Sequence, residues 1–288
     1  MARPTSAAVR GLSRRNLISS HRAWGGYLFV LSLFTVLGCS LSSSPTAKTL
    51  TDNSSNSVEA IDKAIERDTV ATESGTDAAT VPAESWADQV GKVASGESQT
   101  IEITSLPIQG EQLHDLGSIA SRLQVLILDH GQVTDQDAEK LANLNALVHL
   151  RLRESPLTDA GLQRLLGTGH PELRILNLPQ AALTSQGLRQ LCLLPNLIQL
   201  RIGGRQLDDE AAAIISELPN LRSLHLIGPS LTSSGLKHLA KCPQLYSLYI
   251  DDCPLPDEAW LALFNDKPEL HVHIDQHHHD RDPNADPH

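Results

Sequence analysis

An α/β solenoid, with a curved parallel sheet on its concave side and short helices on its convex side, is the fold this sequence predicts. Three observations carry that expectation. The phrase SPLTDAGLQRL at 155–165 nearly recurs as AALTSQGLRQL at 181–191 and as PSLTSSGLKHL at 229–239. Six tandem units begin at Leu123, Leu147, Leu173, Leu197, Leu221 and Leu245, with a period of 24 that stretches to 26 and 25 at two turns. Within a unit the apolar spacing switches: Leu150 and Leu152 alternate as in a strand, then Leu162, Leu165 and Leu166 share one helical face. One unit cannot bury both faces alone, but stacked units bury them jointly.

The elements follow in chain order. Residues 1–38 hold Arg3, Arg10, Arg14, Arg15 and Arg22 and no acid, and lead into Cys39 through the apolar run GYLFVLSLFTVLG, so they read as an export signal. Residues 39–97 are rich in Ser, Thr, Ala, Asp and Glu, with too little apolar surface to repay ordering, and are expected to form a disordered tether. Such a coil spans roughly 40 Å. Two stretches within it carry helical spacing: Val58, Ile61 and Ile65, and then Trp86, Val90 and Val93, the second placed to cover the first layer of the core.

The repeat domain is expected over 98–275. Its first unit is degenerate and uses Ile101, Ile103 and Ile108, while LHVHID at 270–275 supplies the last strand. Thr134, Thr158, Thr184, Asp208 and Thr232 stand just ahead of a helix, where a side-chain oxygen can accept from a backbone N–H. Gly161, Gly187, Ala211, Gly235 and Ala259 fall at one phase, which lets neighbouring helices approach closely. Pro171, Pro195, Pro219, Pro243 and Pro268 end one helix and introduce the next strand. Glycines do not cluster ahead of these helices as a phosphate cradle requires, so the repeated phrase reads as scaffolding. Residues 276–288 are expected to be a disordered, His- and Asp-rich tail.

Two resemblances add to this reading. The LxxLxL pattern of 98–275 resembles the leucine-rich repeat family, and the LTDAGL helix start resembles its ribonuclease-inhibitor-like, cysteine-containing type. The position that the family fills with Asn or Cys after the strand holds Gly131, Ser155, Ala181, Arg205, Pro229 and Cys253, so the family's hydrogen-bonded ladder at that turn is not expected. VLGC at 36–39 resembles the lipobox of bacterial lipoproteins, which implies cleavage before Cys39 and lipid on its thiol. Val36 and Leu37 depart from the residues that family favours. The span from Trp24 to Leu41 is also about long enough for an uncleaved anchor. SRRNLI at 13–18 resembles a twin-arginine export motif. Lipoprotein or anchor, the repeats would lie outside the cytoplasm, held at a membrane on the periplasmic or outer-membrane side of a bacterial envelope.

Charge narrows the partners. The chain has 23 Lys and Arg against 34 Asp and Glu, and loss of the five arginines in 1–38 leaves 18 against 34, a net −16. Such a surface disfavours nucleic acid and anionic lipid. The residues left free by the repeat grammar are those facing the concave side. There the central column reads Ile127, Arg151, Asn177, Arg201, His225, Tyr249 and His273, flanked by Asp129, His149, Arg153, Ile175, Gln199, Ser247 and Asp251. Arg151, Arg153, Asn177, Arg201, His225 and Tyr249 are the expected ligand-binding set, and Arg151, Arg153, Arg201 and Arg205 form a basic cluster able to grip carboxylates.

His271, His273 and Asp275 alternate on the last strand and have ligand types suited to zinc. HxHxD superficially resembles the metal motif of metallo-β-lactamase-like hydrolases, but Gln276 stands where that family has a further histidine, and its fold is a different one. The function expected is therefore a non-catalytic scaffold for a protein or peptide partner, with no cofactor. The alternatives are metal binding or hydrolysis at the His/Asp cluster, and a substrate-recognition arm like the F-box-linked relatives of this repeat type. No F-box-like segment precedes the repeats.

Overall fold

The computed structural model describes residues 84–108 and 110–278. Cys39, the export signal, most of the tether and residues 279–288 lie outside the described residues. The strands are β1 (Thr100–Ile103), β2 (Val125–Leu128), β3 (His149–Leu152), β4 (Ile175–Leu178), β5 (Gln199–Gly203), β6 (Ser223–Ile227), β7 (Ser247–Asp251), β8 (His271–Ile274) and β9 (His277–His278). They form one sheet in sequence order, and each of β1 to β8 pairs with the next in parallel. A helical segment connects each parallel strand to the next, so the fold is an α/β leucine-rich repeat solenoid.

The register explains why leucine dominates. Leu126, Leu150, Leu176, Leu200, Leu224, Leu248 and Val272 are in register across seven strands and are completely buried. Each such side chain contributes about 2 kcal/mol by leaving water, and each does so against copies of itself above and below. A polar residue would leave an unmet group at every layer.

The first layer is covered by helix α1 (Trp86–Ser95), which Ser85 caps by accepting from the Asp88 N–H at 3.2 Å and Gly96 closes in a left-handed conformation (φ 85°). Trp86 and Val93 enter the core, and the indole Nε1 donates to Asp115 at 2.9 Å. The packed unit therefore takes in residues that precede the boundary at 98. The Gln89 side chain then closes the free edge of β1: its Oε1 accepts from the Glu102 N–H at 2.7 Å and its Nε2 donates to the Glu102 carbonyl at 2.9 Å. One amide thus stands in for a neighbouring strand. At the other end, His277 and His278 pair antiparallel with Ile274 and His273, so the chain turns back on β8 before the residues outside the description begin. Residues 276–278 thus depart from the disordered tail expected of them.

The convex side carries α2 (Ala138–Leu141), α3 (Asp159–Leu166), α4 (Ser185–Leu188), α5 (Asp209–Ser216), α6 (Ser233–Leu239) and α7 (Asp257–Asp266), with 3-10 turns at Gln112–Ile119 and Arg189–Leu193. Thr158, Asp208 and Thr232 cap their helices by accepting from Ala160, Ala211 and Ser234 N–H. Thr184 makes no such bond, and at Thr134 the helix starts later, with Asp137 bonded to both the N–H and the hydroxyl of Thr134.

The threonine has a second role that its position alone does not reveal. Asp135 accepts from the N–H (2.8 Å) and the hydroxyl (2.5 Å) of Thr158, one coil further on; Asp159 does the same for Thr184 and Asp209 for Thr232. That carboxylate occupies the space where a side chain at the small position would go. A Cβ on Gly161, Gly187 or Gly235 would overlap Oδ1 of Asp135, Asp159 or Asp209 respectively. Where the preceding coil supplies Ser185 or Ser233 instead, the position holds Ala211 or Ala259. The small residue thus makes room for a carboxylate, a more specific cause than helix approach.

Candidate functional site: the concave face

Three columns of side chains run across the concave face. The first is Val125, His149, Ile175, Gln199, Ser223, Ser247 and His271, and the second is Ile127, Arg151, Asn177, Arg201, His225, Tyr249 and His273. Adjacent strands lie about 4.8 Å apart, so neighbours in a column touch or nearly touch. The third column follows the last core residue of each strand and includes Asp129, Arg153 and Asp251. The register places all six expected ligand-binding residues on this face, but in unequal settings. Arg151, Asn177 and His225 are buried, whereas Arg153, Arg201 and Tyr249 are half-exposed.

In the N-terminal half, two arginines share one carboxylate. Arg151 binds Asp129 through both arms, Nε to Oδ1 at 2.8 Å and Nη2 to Oδ2 at 2.7 Å, and Arg153 approaches the same carboxylate at 3.8 Å. The four-arginine cluster expected to grip an external carboxylate is corrected to this extent: two of its members share an internal one. Arg205 stands on the exposed turn beyond β5, where its carbonyl accepts from the Ser230 hydroxyl at 2.8 Å.

The C-terminal half is aromatic. Tyr249 stacks on His273 with ring centres 4.4 Å apart and planes 18° apart, and leans on His225 at 5.5 Å. His271 meets His273 edge-on at 4.8 Å. His225 Nε2 lies 2.7 Å from Asp251 Oδ2, so Nε2 carries the proton and Nδ1 is left bare when the ring is neutral. Among the described residues, nothing hydrogen-bonds that buried Nδ1. Burial pushes the Asp251 carboxyl up, but the His225 hydrogen bond and the charges of His225 and Arg201 outweigh it and hold the group below the ordinary carboxylate range. Burial also pushes the Tyr249 hydroxyl up, so it stays protonated and uncharged.

The zinc-type triplet does not assemble. His271 and His273 share a face, but β8 ends at Ile274 and Asp275 adopts a left-handed turn (φ 48°) from which its carboxylate accepts the Asp252 N–H at 2.8 Å. Among the described residues no three His, Cys, Asp or Glu come together to hold a metal ion. The feature that sequence reasoning passed over is the diagonal pairing of Asp129 with Arg151 and of Asp251 with His225. Its signal is legible in the aligned units: each carboxylate stands two places past the central column of a coil adjacent to the cation's.

No protein-family model and no curated protein matches the chain in sequence. Among solved structures it is similar to an internalin, InlF, of Listeria monocytogenes, with 18% identity, 65% of this chain and 55% of that chain covered, and a TM-score of 0.40. It is also similar to internalin C2 of the same organism (21% identity, 65% and 80% covered, TM-score 0.38). A plant peptide hormone receptor, RGFR1 in complex with RGF2, gives 16% identity, 61% and 32% covered, and a TM-score of 0.37. The chain spans about half the length of the first. The repeat architecture rests on the register and core described above. No helix among the described residues is long and apolar enough to cross a membrane.

Proposed function

We propose that this chain is a non-catalytic interaction scaffold that presents its concave face to a protein or peptide partner at a bacterial cell envelope. One observation carries the reading: positions facing the core and the helix starts keep the same few residue types from coil to coil, whereas the concave columns change at nearly every coil. A side chain that changes while its surroundings repeat is available for specificity rather than for packing. The LTDAGL start supports assigning the repeats to the ribonuclease-inhibitor-like type, and lipid on Cys39 would hold them at the membrane.

A photo-reactive residue at Tyr249, compared with one at Arg189 on the exposed convex side, tests the first part. Position 249 is expected to join a partner from a membrane fraction and position 189 is not; equal capture at both overturns the concave-face reading. Metabolic labelling with a fatty acid tests the second, with label expected on the wild-type chain and lost in Cys39→Ser. Label retained in that variant removes Cys39 as the anchor.

A further inference from the structure

The edge of the sheet where the strands begin holds charge that the fold does not use. Val148, Arg174, Ile198, Arg222 and Tyr246 each stand one residue ahead of a strand, from β3 to β7. They are in strict register: Arg174 donates its N–H to the Val148 carbonyl, Ile198 to that of Arg174, Arg222 to that of Ile198 and Tyr246 to that of Arg222, all at 2.8 Å. Asn196 and Asn220 hold the corners beside this row by donating to the Pro171 and Pro195 carbonyls at 2.7 and 2.8 Å. The row is thus a fixed line of residues about 4.8 Å apart. Arg174 and Ile198 are half-exposed, Arg222 is exposed, and Tyr246 is 61% accessible.

Elsewhere the arginines are spent on the fold. Arg151 and Arg153 meet Asp129, Arg164 donates to the Asp135 carbonyl, and Arg189 pairs with Glu210. Among the described residues the guanidinium groups of Arg174 and Arg222 make no hydrogen bond and no ion pair. No carboxylate is next to any member of the row in sequence, and Glu172, two places before Arg174, forms no ion pair with it. Two unmatched cations therefore lie two strands apart, with Ile198 between them and an exposed ring beyond the second, in a chain of net charge −11.

We infer that this edge docks an extended, proline-rich segment of a partner protein that carries two carboxylates three residues apart. The inference rests on the scaffold reading and names the partner's chemistry. Charge complementarity is the ground for choosing this occupant. Each guanidinium offers two parallel N–H donors that match the two oxygens of a carboxylate. The spacing follows from the sheet: two strand separations are about 10 Å. A polyproline-type chain returns to the same side every third residue after a rise of about 9 Å, so carboxylates at that interval reach both arginines at once. Ile198 then meets the apolar atoms between the carboxylates, and the Tyr246 ring takes a proline beyond them.

The test is fluorescence anisotropy of the full-length chain with labelled proline-rich peptides at low ionic strength. A peptide with two Glu residues three apart is expected to bind about tenfold more tightly than its Gln counterpart, and about threefold more tightly than one of the same composition with the Glu residues six apart. Arg174→Gln and Arg222→Gln should each cost about threefold, and the double variant should bind the Glu and Gln peptides alike. Tyr246→Ala should weaken both peptides by the same factor, because it removes contact and not charge. None of these substitutions removes a buried contact, so urea midpoints should stay at the wild-type value.

Equal affinity for the Glu and Gln peptides, a Glu preference that survives the double variant, or indifference to the Glu spacing overturns the inference. Binding to phosphatidylglycerol vesicles that the double variant abolishes, without any Glu preference among the peptides, overturns it in favour of a lipid surface. Capture through Tyr249 of a partner segment without carboxylates overturns it and leaves the scaffold reading intact. Absence of capture at any concave position, together with no peptide binding, removes both.

Discussion

The convex rim and the concave face are built from the same coils, yet they use side-chain chemistry in opposite ways. At the rim the bonds repeat: an aspartate of one coil holds the threonine of the next at three interfaces, and the small residue beside it follows suit. On the concave face the contacts change along the sheet, with a bidentate arginine pair at one end and stacked rings at the other. A repeated bond fixes the spacing between coils, which each coil needs equally. A contact made once cannot serve that purpose. The rim therefore reads as the part that sets the solenoid and the sheet as the part open to selection by a partner, and substitutions can break or sharpen that division.

The largest effect is expected at the rim. Gly187→Ala drives a methyl group into Asp159 Oδ1, a buried overlap that costs about 3 kcal/mol unless the neighbouring coil moves. Asp159→Ser in the same chain reproduces the pair found naturally at Ser185 and Ala211, and should restore more than half of the loss even though Asp159 gives up its bonds to Thr184. Urea denaturation of the four chains of this cycle gives the coupling directly. If the two substitutions simply add, the glycine is not there to house the carboxylate. Thr158→Val, which removes a cap and a donor to Asp135, should cost about 1 kcal/mol by the same measurement.

The next effect tests whether the concave face is uniformly dispensable for stability. Asp129→Ala takes a bidentate partner from Arg151, whose side chain is 9% exposed, and should cost roughly 2 kcal/mol. Arg201→Gln, on a half-exposed residue of the same face whose charge also acts on Asp251, should cost less, about 1 kcal/mol, while weakening partner binding. Together these would weight structural duty on the sheet towards its N-terminal half. Equal losses at both sites would erase the distinction.

How much of this the sequence discloses depends on whether an interaction repeats. The solenoid, the register and the leucine spine follow from the 24-residue period, because Leu150 and its equivalents recur where nothing else could satisfy a shared core. The residues of the concave columns follow from the same alternation. What they do there does not. That Arg151 is consumed by Asp129, and that Asp275 swings away from His271 and His273, depend on single side chains at diagonal positions and on one left-handed turn, which no periodicity reports. The covariation of Gly187 with Asp159 and of Ala211 with Ser185 is legible, but only when each coil is compared with the one before it rather than with the consensus. Helix α1 was legible in the spacing of Trp86, Val90 and Val93, because an open solenoid end exposes apolar surface that some amphipathic segment must cover.

The smallest effect concerns a rim position where the repeat is broken. His170 precedes Pro171 as Leu194 precedes Pro195 and Leu218 precedes Pro219, so an imidazole occupies a leucine column and is 1% exposed. Burial holds its pKa below the ordinary histidine value, against the upward pull of the Leu165 carbonyl, 2.9 Å from Nε2, and the Leu144 carbonyl, 3.2 Å from Nδ1. In the unfolded chain this ring titrates near 6.5. Between that value and the lower folded one the unfolded chain carries the extra proton, so stability declines as pH drops through about 6.5 and levels off below the folded pKa. Asp251, whose carboxyl is held below its usual range, loses its contribution only at more acidic pH and does not obscure this window. His170→Leu restores the residue type of the column and should flatten the change in urea midpoint between pH 7.5 and pH 5.5. A slope that persists unchanged in that variant would show that the buried imidazole of the rim is not its source, and that the leucine column tolerates His170 without an acid-linked cost.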